Sequence, residues 1–468
     1  MKPALLSLYH RAPYGIKVAA ATAHGRRLRS WREGPEADRL VREALERDHW
    51  TGERWRLWEQ DALERLLHRA VTHVPYYREH WSARRRRGDR ASWRELSNWP
   101  VLTKEELRRA PKAFVADDCD PRSMLHQHTS GTTGKPLNLW WSRRAAHRWY
   151  ALVEARVRRW HGLSRREPFA MLGGQLVTPF ARRQPPYWVW NAALKQLYLS
   201  SYHLEPDNAR HYFEAMRRYG VLYATGYPSS LHALAEFARE RELEVPILKA
   251  ALTNSEPLYA HQRASIGRAY GCPVRDMYGM AEIVVGASEC AAGTLHAWPE
   301  VGHVEAMDAD HDGQAAEGEA GRLVCTGLLN TDMPLVRYET GDRGSSPRTA
   351  ACACGRLLPR MGAVDGRADD VLISPSGRRL ASPDTALKAS LPIREAQIVQ
   401  EGPALLRVRL VPSAGYDAST EAEIREALRA RVGEMEILVE PVEHIARFAN
   451  GKFKVIVNQS GERAPVAS

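Results

Sequence analysis

The stretch His-Thr-Ser-Gly-Thr-Thr-Gly-Lys-Pro-Leu, residues 128–137, sets two glycines, four hydroxyl residues and a lysine within ten positions. Backbone N–H groups in a glycine-rich turn converge on phosphate oxygens, because glycine permits close approach and positive φ. Gly131 and Gly134 supply that freedom, Ser130, Thr132 and Thr133 add hydroxyl donors, and Lys135 adds a cation. This is not a Walker loop. That motif needs four residues between its glycines and a Ser or Thr after the lysine to hold Mg²⁺; here two residues intervene and Pro136 follows. Taken alone, the loop fits either a phosphate cradle or an ordinary turn.

A second grouping suits a metal. Glu-Cys-Ala-Ala-Gly-Thr-Leu-His contains Cys290 and His296, and Ala-Cys-Ala-Cys-Gly-Arg contains Cys352 and Cys354. Three thiolates and an imidazole complete a tetrahedral zinc set, and structural sites close with four protein ligands. The two spacings depart from the usual finger patterns, so incidental buried cysteines stay open beside the favoured reading, a structural zinc. Cys119, Cys272 and Cys325 read as ordinary core or surface residues.

Four further stretches join the opening loop in a fixed order: Met-Tyr-Gly-Met-Ala-Glu (277–282), Tyr-Glu-Thr-Gly-Asp (338–342), Gly-Arg-Ala-Asp-Asp (366–370) and Asn-Gly-Lys-Phe-Lys (450–454). Together they resemble the adenylate-forming superfamily of acyl-CoA synthetases, peptide-synthetase adenylation domains and luciferases. His-Val-Pro-Tyr-Tyr (73–77), Leu-Thr-Lys-Glu-Glu-Leu-Arg (102–108) and Asn-Ser-Glu-Pro-Leu (254–258) resemble its phenylacetate–CoA ligase branch, in particular the CapK-like members. The resemblance spans nearly the whole chain.

That resemblance implies an activity and a role for each motif. ATP and a carboxylic acid give an acyl-adenylate and pyrophosphate, and the acyl group then passes to a nucleophile. Anions must approach one another while charge gathers on pyrophosphate, so cations have to be placed in advance. The resemblance puts Ser130, Gly131, Thr132, Thr133, Gly134 and Lys135 around the β- and γ-phosphates and Glu282 on Mg²⁺. Tyr278 flanks the adenine or acyl site, Asp342 takes the ribose hydroxyls, and Arg367 supplies charge toward ribose and phosphates. Lys452 is the expected catalytic lysine, with Lys454 as a nearby decoy. Asp369 takes the hinge position. Tyr227, Pro228, Ser255, Glu256, Tyr278 and Gly279 line or support the acid pocket, and similar Cys/His clusters belong to some members of the branch. CoA is the leading acceptor, an amine or alcohol the nearest rival, and a non-catalytic scaffold the rival of another class. The loose match of Val-Leu-Ile-Ser-Pro-Ser-Gly (371–377) bears on the thioester step more than on adenylation.

These residues need a frame. The 468 residues suit about three units of ~150, or one large domain plus a small one. A content of 44% apolar and 26% charged residues supports a sizeable core with a solvated surface. The formal charge of +11 is spread along the chain, and its densest cluster, Arg84 to Arg87, reads as a solvated loop. No zinc-finger or aromatic-interleaved basic motif accompanies it, so nucleic acid is not the expected partner. No apolar run approaches the ~18 residues a membrane span needs. The short apolar run Ala4 to Leu8 does not make a secretory core, and six cysteines in a chain of this length point to a reducing cytoplasm.

The expected fold class is α/β: a large N-terminal domain of βα subdomains plus a β-rich subdomain, followed by a small mobile C-terminal α+β domain. Residues 1–365 form the large domain, with 1–125 a mostly helical lead-in; 366–460 form a lid and 461–468 a flexible tail. The helical texture of 36–74 comes from apolar spacings of three and four. Pro75 interrupts it, and Thr103 offers an N-cap with Glu105 and Glu106 in the first turn. Short apolar runs alternating with amphipathic helices from about 160 argue for largely parallel strands. The aromatic-rich segment 185–204 is open to two placements, pocket or core.

Overall fold

The computed structural model describes residues 8–129, 137–179, 181–308, 313–362, 364, 372–373, 375, 379–380, 391–432, 434–447 and 453–459. The lead-in is helical, as its spacing predicts: α1 (Tyr14–Arg32), α2 (Ala37–Arg47), α3 (Gly52–His73), α4 (Pro75–Arg86) and the short α5 (Lys104–Arg109). The Thr51 hydroxyl accepts from Arg54 N to cap α3, and Leu63, Leu66, Leu67 and Ala70 form its buried stripe. The helix stops because Pro75 holds Val74 extended (φ −101°, ψ 114°) and then opens α4 in its first turn. Thr103 and Glu106 close a reciprocal capping box on α5.

An antiparallel hairpin, β1 (Leu125–His128) and β2 (Asn138–Trp141), pairs His128 with Asn138 and so brackets the glycine-rich segment. Helix α6 (Arg143–Leu152) runs on into a π-helical turn, Val153–Arg158.

The main sheet uses β3 (Phe169–Gly173), β4 (Trp188–Asn191), β5 (Gln196–Ser200), β6 (Tyr223–Gly226), β7 (Ala251–Asn254), β8 (Val274–Gly279), β9 (Gly286–Glu289) and β10 (Leu295–Ala297). Its order is β10-β9-β8-β7-β6-β3-β5-β4. The five central strands are parallel and both edges are antiparallel. Helices α7 (Ala209–Arg218), α8 (Pro228–Glu240) and α9 (Ala260–Tyr270) are the crossovers that parallel pairing requires. The aromatic segment 185–204 settles mainly as core: Trp190 stacks on Tyr219 at 4.7 Å, and Tyr187 lies 6.1 Å from Tyr212, both rings fully enclosed.

A three-stranded antiparallel sheet follows, β11 (Gly302–Met307), β12 (Gly321–Gly327) and β13 (Tyr338–Gly344). The C-terminal part is a separate α+β unit. It holds a small hairpin, β14 (Leu372–Ile373) with β15 (Arg379–Leu380), and then β16 (Ile393–Gly402), β17 (Leu405–Pro412), α10 (Ala418–Val432), β18 (Glu436–Pro441) and β19 (Ile456–Asn458). Leu406, Val408, Leu410, Ile424 and Leu428 give it a core of its own. Among the described residues no helix is long and apolar enough to cross a membrane.

One buried ion network ties the lead-in to the body. Arg156, fully enclosed in the π-helical turn, donates to Asp48 Oδ1 at 2.9 Å and to both Glu300 oxygens at 2.7 and 2.9 Å. Such a group is tolerated because each charge is paired and hydrogen-bonded.

Candidate functional site

Parallel strands end with their carbonyls and connecting loops on one side, and open α/β sheets bind ligands there. The expected pocket residues occupy that edge on three neighbouring strands. Tyr227 and Pro228 follow β6, Ser255 and Glu256 follow β7, and Tyr278 and Gly279 close β8. Ser255 takes φ +70°, and its hydroxyl donates to Asn254 Oδ1 at 2.9 Å. Tyr202 and Tyr198 join from the β5 side, bonding Gly174 O and Gln175 N in the loop after β3. Gly279 is small for a reason: a Cβ there would lie 3.0 Å from the Trp149 ring.

Tyr278 and Asp342, far apart in sequence, meet directly, and the tyrosine hydroxyl donates to Asp342 Oδ2 at 2.8 Å. Burial first, and then the Asp342 charge, push the Tyr278 phenol well above its ordinary value, so it stays a donor. The Thr340 hydroxyl accepts from Asp342 N at 3.1 Å, and Gly341 at φ +77° turns the chain between them. A Cβ on Gly341 would lie 2.8 Å from Lys104 Nζ, so this cation stands against the Thr-Gly-Asp turn. Leu102 brings it there by pairing with both neighbours of Tyr338, Leu102 N with Arg337 O and Leu102 O with Glu339 N.

Glu282 is held by a second tyrosine. Tyr338, fully buried, donates to Glu282 Oε1 at 2.9 Å. Each partner adjoins a non-glycine residue in left-handed backbone: Ile283 at φ +46° after Glu282, and Arg337 at φ +47° before Tyr338. For a β-branched residue such as Ile283 that conformation costs about 1–3 kcal/mol, and such strain concentrates at functional positions. The Arg337 guanidinium is fastened by Glu305 at 3.1 Å and by the Ser97 and Trp99 carbonyls. Trp141 Nε1 donates to Ala281 O at 2.9 Å, which links β2 of the loop-bearing hairpin to the Glu282 turn.

The C-terminal unit reaches the same edge. Phe453 N donates to Glu256 Oε1 at 2.7 Å, while Ser229 N donates to Glu256 Oε2 at 3.2 Å. Arg394 pairs with Glu240 at 3.3 Å. Sequence reasoning missed Lys104, Tyr338 and Phe453 as parts of the site, although all three lie inside stretches the resemblance quotes. Ser130, Gly131, Thr132, Thr133, Gly134, Lys135, Arg367, Asp369 and Lys452 lie outside the described residues.

The four residues expected to bind a metal do converge. Cys290, His296, Cys352 and Cys354 place one ligand atom each within 4.8 Å of all the others. Cys290 Sγ lies 3.7 Å from Cys352 Sγ, and Cys354 Sγ lies 3.5 Å from His296 Nε2. A tetrahedron with Zn–S of about 2.3 Å and Zn–N of about 2.0–2.1 Å has S···S edges of about 3.75 Å and S···N edges of about 3.5 Å. Both edges match. The other imidazole nitrogen, Nδ1, donates to Leu358 O at 3.0 Å, which leaves Nε2 as the ligand atom. Burial raises the Cys352 thiol, but the surrounding hydrogen bonds, those from Thr294 and the Cys354 backbone first, outweigh it and bring it down to about 6.

Comparison with known proteins identifies the family and the fold. A profile described as AMP-binding enzyme matches residues 66–331, more than half of the chain, and one described as CapK C-terminal domain matches 377–459. Protein CapK of Staphylococcus aureus is 24% identical over 256 residues, 54% of this chain and 55% of that protein. The phenylacetate-coenzyme A ligase of Thermus thermophilus is 37% identical over 152 residues, 31% and 34% of the two chains. That of Escherichia coli is 26% identical over 328 residues, 66% and 70%. The match thus spans about half of the first relative and a third of the second. Among solved structures, 2-hydroxyisobutyryl-CoA ligase in the postadenylation state, in complex with 2-HIB-AMP, has a TM-score of 0.67 at 22% identity, covering 88% of this chain and 91% of that one. The same ligase with 2-HIB-AMP and CoA in its thioesterification state has a TM-score of 0.51 at 21% identity over the same shares. With the fold, the paired motifs and the matched profiles in agreement, the chain belongs to the AMP-binding enzyme family, in its phenylacetate–CoA ligase and CapK-like branch.

Proposed function

We propose that the protein activates a small carboxylic acid with ATP, releasing pyrophosphate and forming an acyl-adenylate, and then transfers the acyl group to an acceptor, CoA first. The observation that carries this reading is the double pairing at one sheet edge: Tyr278 on Asp342 and Tyr338 on Glu282, with the loop-bearing hairpin tied to the same turn through Trp141. Tyr278 holds Asp342 in one rotamer, so the carboxylate is preorganised to accept from ribose hydroxyls. Tyr338 does the same for Glu282, a hard oxygen donor of the kind Mg²⁺ takes. When bound, Mg²⁺ neutralises charge gathering on the leaving pyrophosphate. Residues 130–135, Arg367 and Lys452 are the remaining donors and cations of the proposal. The acid lies at the ends of β6, β7 and β8, beside Tyr227 and Ser255. In this scheme 1–365 is the body and 366–460 the lid, turning about Asp369. The relatives named as CoA ligases support CoA as acceptor. The Cys/His cluster is proposed as a structural zinc site, supported by its tetrahedral edge lengths, that ties the β9–β10 hairpin to the segment before the lid.

The test is carboxylate-dependent ATP–pyrophosphate exchange across a panel of acids, with mass detection of products when CoA, amines or alcohols are added. Exchange with a CoA thioester supports the full reading. Exchange without a thioester but with an amide or ester moves the acceptor to the rival class. Absence of both exchange and ATP binding leaves a scaffold.

A further inference from the structure

Glu256 sits where the two units of the protein touch, and its two oxygens point to different units. Oε2 accepts from Ser229 N at the start of α8, where the helix end favours negative charge, and Oε1 accepts from Phe453 N of the C-terminal unit at 2.7 Å. Burial pushes this carboxyl up, opposed by the Phe453 and Ser229 N–H groups and the Arg447 charge. Arg447 lies 4.5 Å over the Phe453 ring, so Phe453 is held on its backbone and on its face. At the far end of the same helix, Glu240 pairs with Arg394. Contacts with the C-terminal unit therefore fall near both ends of α8, and Glu256 is the fastening at the end nearest the candidate pocket.

The amide that Glu256 grips is the one joining Lys452 to Phe453. We propose that Glu256 is a positioning residue rather than an acid-recognition residue: it clamps the C-terminal unit at Phe453 in the orientation that forms the adenylate, and must release it before acyl transfer. This rests on the proposed adenylate-forming reading. A carboxylate clamp suits such alternation, because a hydrogen bond between an anion and an N–H is directional and strong when dry, yet water replaces it once the units part. A larger apolar contact would hold the lid in one state.

The test uses the full-length protein and the acid that supports exchange best. Glu256→Ala and Phe453→Pro remove the two halves of the contact, the second by deleting the N–H together with the ring, and Phe453→Ala reports what loss of the ring alone does. Each is expected to lower kcat of ATP–pyrophosphate exchange roughly 10- to 100-fold, with KM for the acid within about twofold and the double variant no worse than either single one. Glu256→Gln, which keeps an acceptor oxygen, restores part of the loss, and Phe453→Ala, which keeps the N–H, loses less exchange than Phe453→Pro. Transfer from synthetic acyl-adenylate to the acceptor is expected to persist in all of them. A raised KM for the acid with unchanged kcat in Glu256→Ala makes Glu256 a pocket residue and overturns the proposal. So does equal loss of exchange and transfer, or wild-type exchange in Phe453→Pro. Lack of exchange in the wild-type protein instead refutes the underlying reading of function.

Discussion

Replacing Tyr338 by phenylalanine removes one oxygen and leaves the buried ring in place. The lost bond, 2.9 Å to Glu282 Oε1, joins a neutral donor to a carboxylate, and such bonds contribute about 1.5–3 kcal/mol. At 1.36 kcal/mol per decade that is roughly 10- to 150-fold. If Glu282 carries Mg²⁺, the loss should fall on metal dependence, because the carboxylate is then free to leave the orientation that Tyr338 imposes. The assay is ATP–pyrophosphate exchange as a function of Mg²⁺ at fixed ATP and acid, with thermal melting in parallel. The expected result is a Mg²⁺ midpoint raised about tenfold or more, with partial recovery at high Mg²⁺. The strained backbone at Ile283 and Arg337 ought to survive the change, since Arg337 is anchored independently by Glu305. A Mg²⁺ midpoint within twofold of wild type, in a variant that melts normally, would refute the assignment of Tyr338 as the holder of a metal-binding Glu282. A loss of activity that merely tracks melting would reduce the pair to a packing contact.

Further measurements follow from other parts of the molecule. Protein purified without chelator should carry about one zinc per chain, and Cys354→Ser should lower both zinc content and melting temperature; zinc far below one per chain, with an unaltered melt, removes the site. His232 bonds Ser265 at 2.9 Å, and burial, aided by the charges of His261 and Arg447, lowers its pKa to about 4, against Glu236 and the Arg394 backbone contact from the C-terminal unit. Because the folded value lies below the ordinary 6.5, its contribution is present above about pH 6.5 and is lost as pH falls toward 4. Overall stability, read by denaturant unfolding, should therefore fall between pH 6.5 and 5, and His232→Gln should flatten that dependence; an identical profile in both proteins contradicts it. Gly302→Ala would set a Cβ 1.9 Å from the Val284 carbonyl oxygen, and backbone cannot yield as a side chain does. A loss of about 1–3 kcal/mol in denaturant unfolding is expected, and wild-type stability would show that β11 shifts freely.

Periodicity and punctuation carried the fold well where the determinants are local. The stop at Val74, the Thr103 box and the alternation that yields β3 and β6 through β8 with their helices are all consequences of a few adjacent residues. The antiparallel edges of the main sheet and the β1–β2 hairpin were not legible, because short strands of mixed polarity resemble loops. At the site, motifs named the separate residues but not their partners. Tyr338 meets Glu282 across 56 positions and Phe453 meets Glu256 across 197, and no spacing rule reaches so far. The metal cluster was the exception: its residue types are so restricted that composition anticipated a convergence bridging 62 positions. The left-handed turn at Ile283 could not be anticipated at all, since isoleucine is among the residues least suited to it.

The enclosed guanidinium of Arg156 has a practical consequence for anyone trimming this chain. Asp48 arrives from the end of α2, so a shortened protein beginning at α3 would lose one of the two carboxylates around Arg156 and the acceptor of Trp160 Nε1, 2.7 Å away. Leaving a buried donor such as Trp160 Nε1 without its acceptor costs about 1–3 kcal/mol, a sizeable share of the 5–15 kcal/mol that keeps an ordinary domain folded. The opening helices are thus packed into the body of the large domain, and a protein trimmed to α3 should unfold at lower denaturant than one that keeps α2 onward.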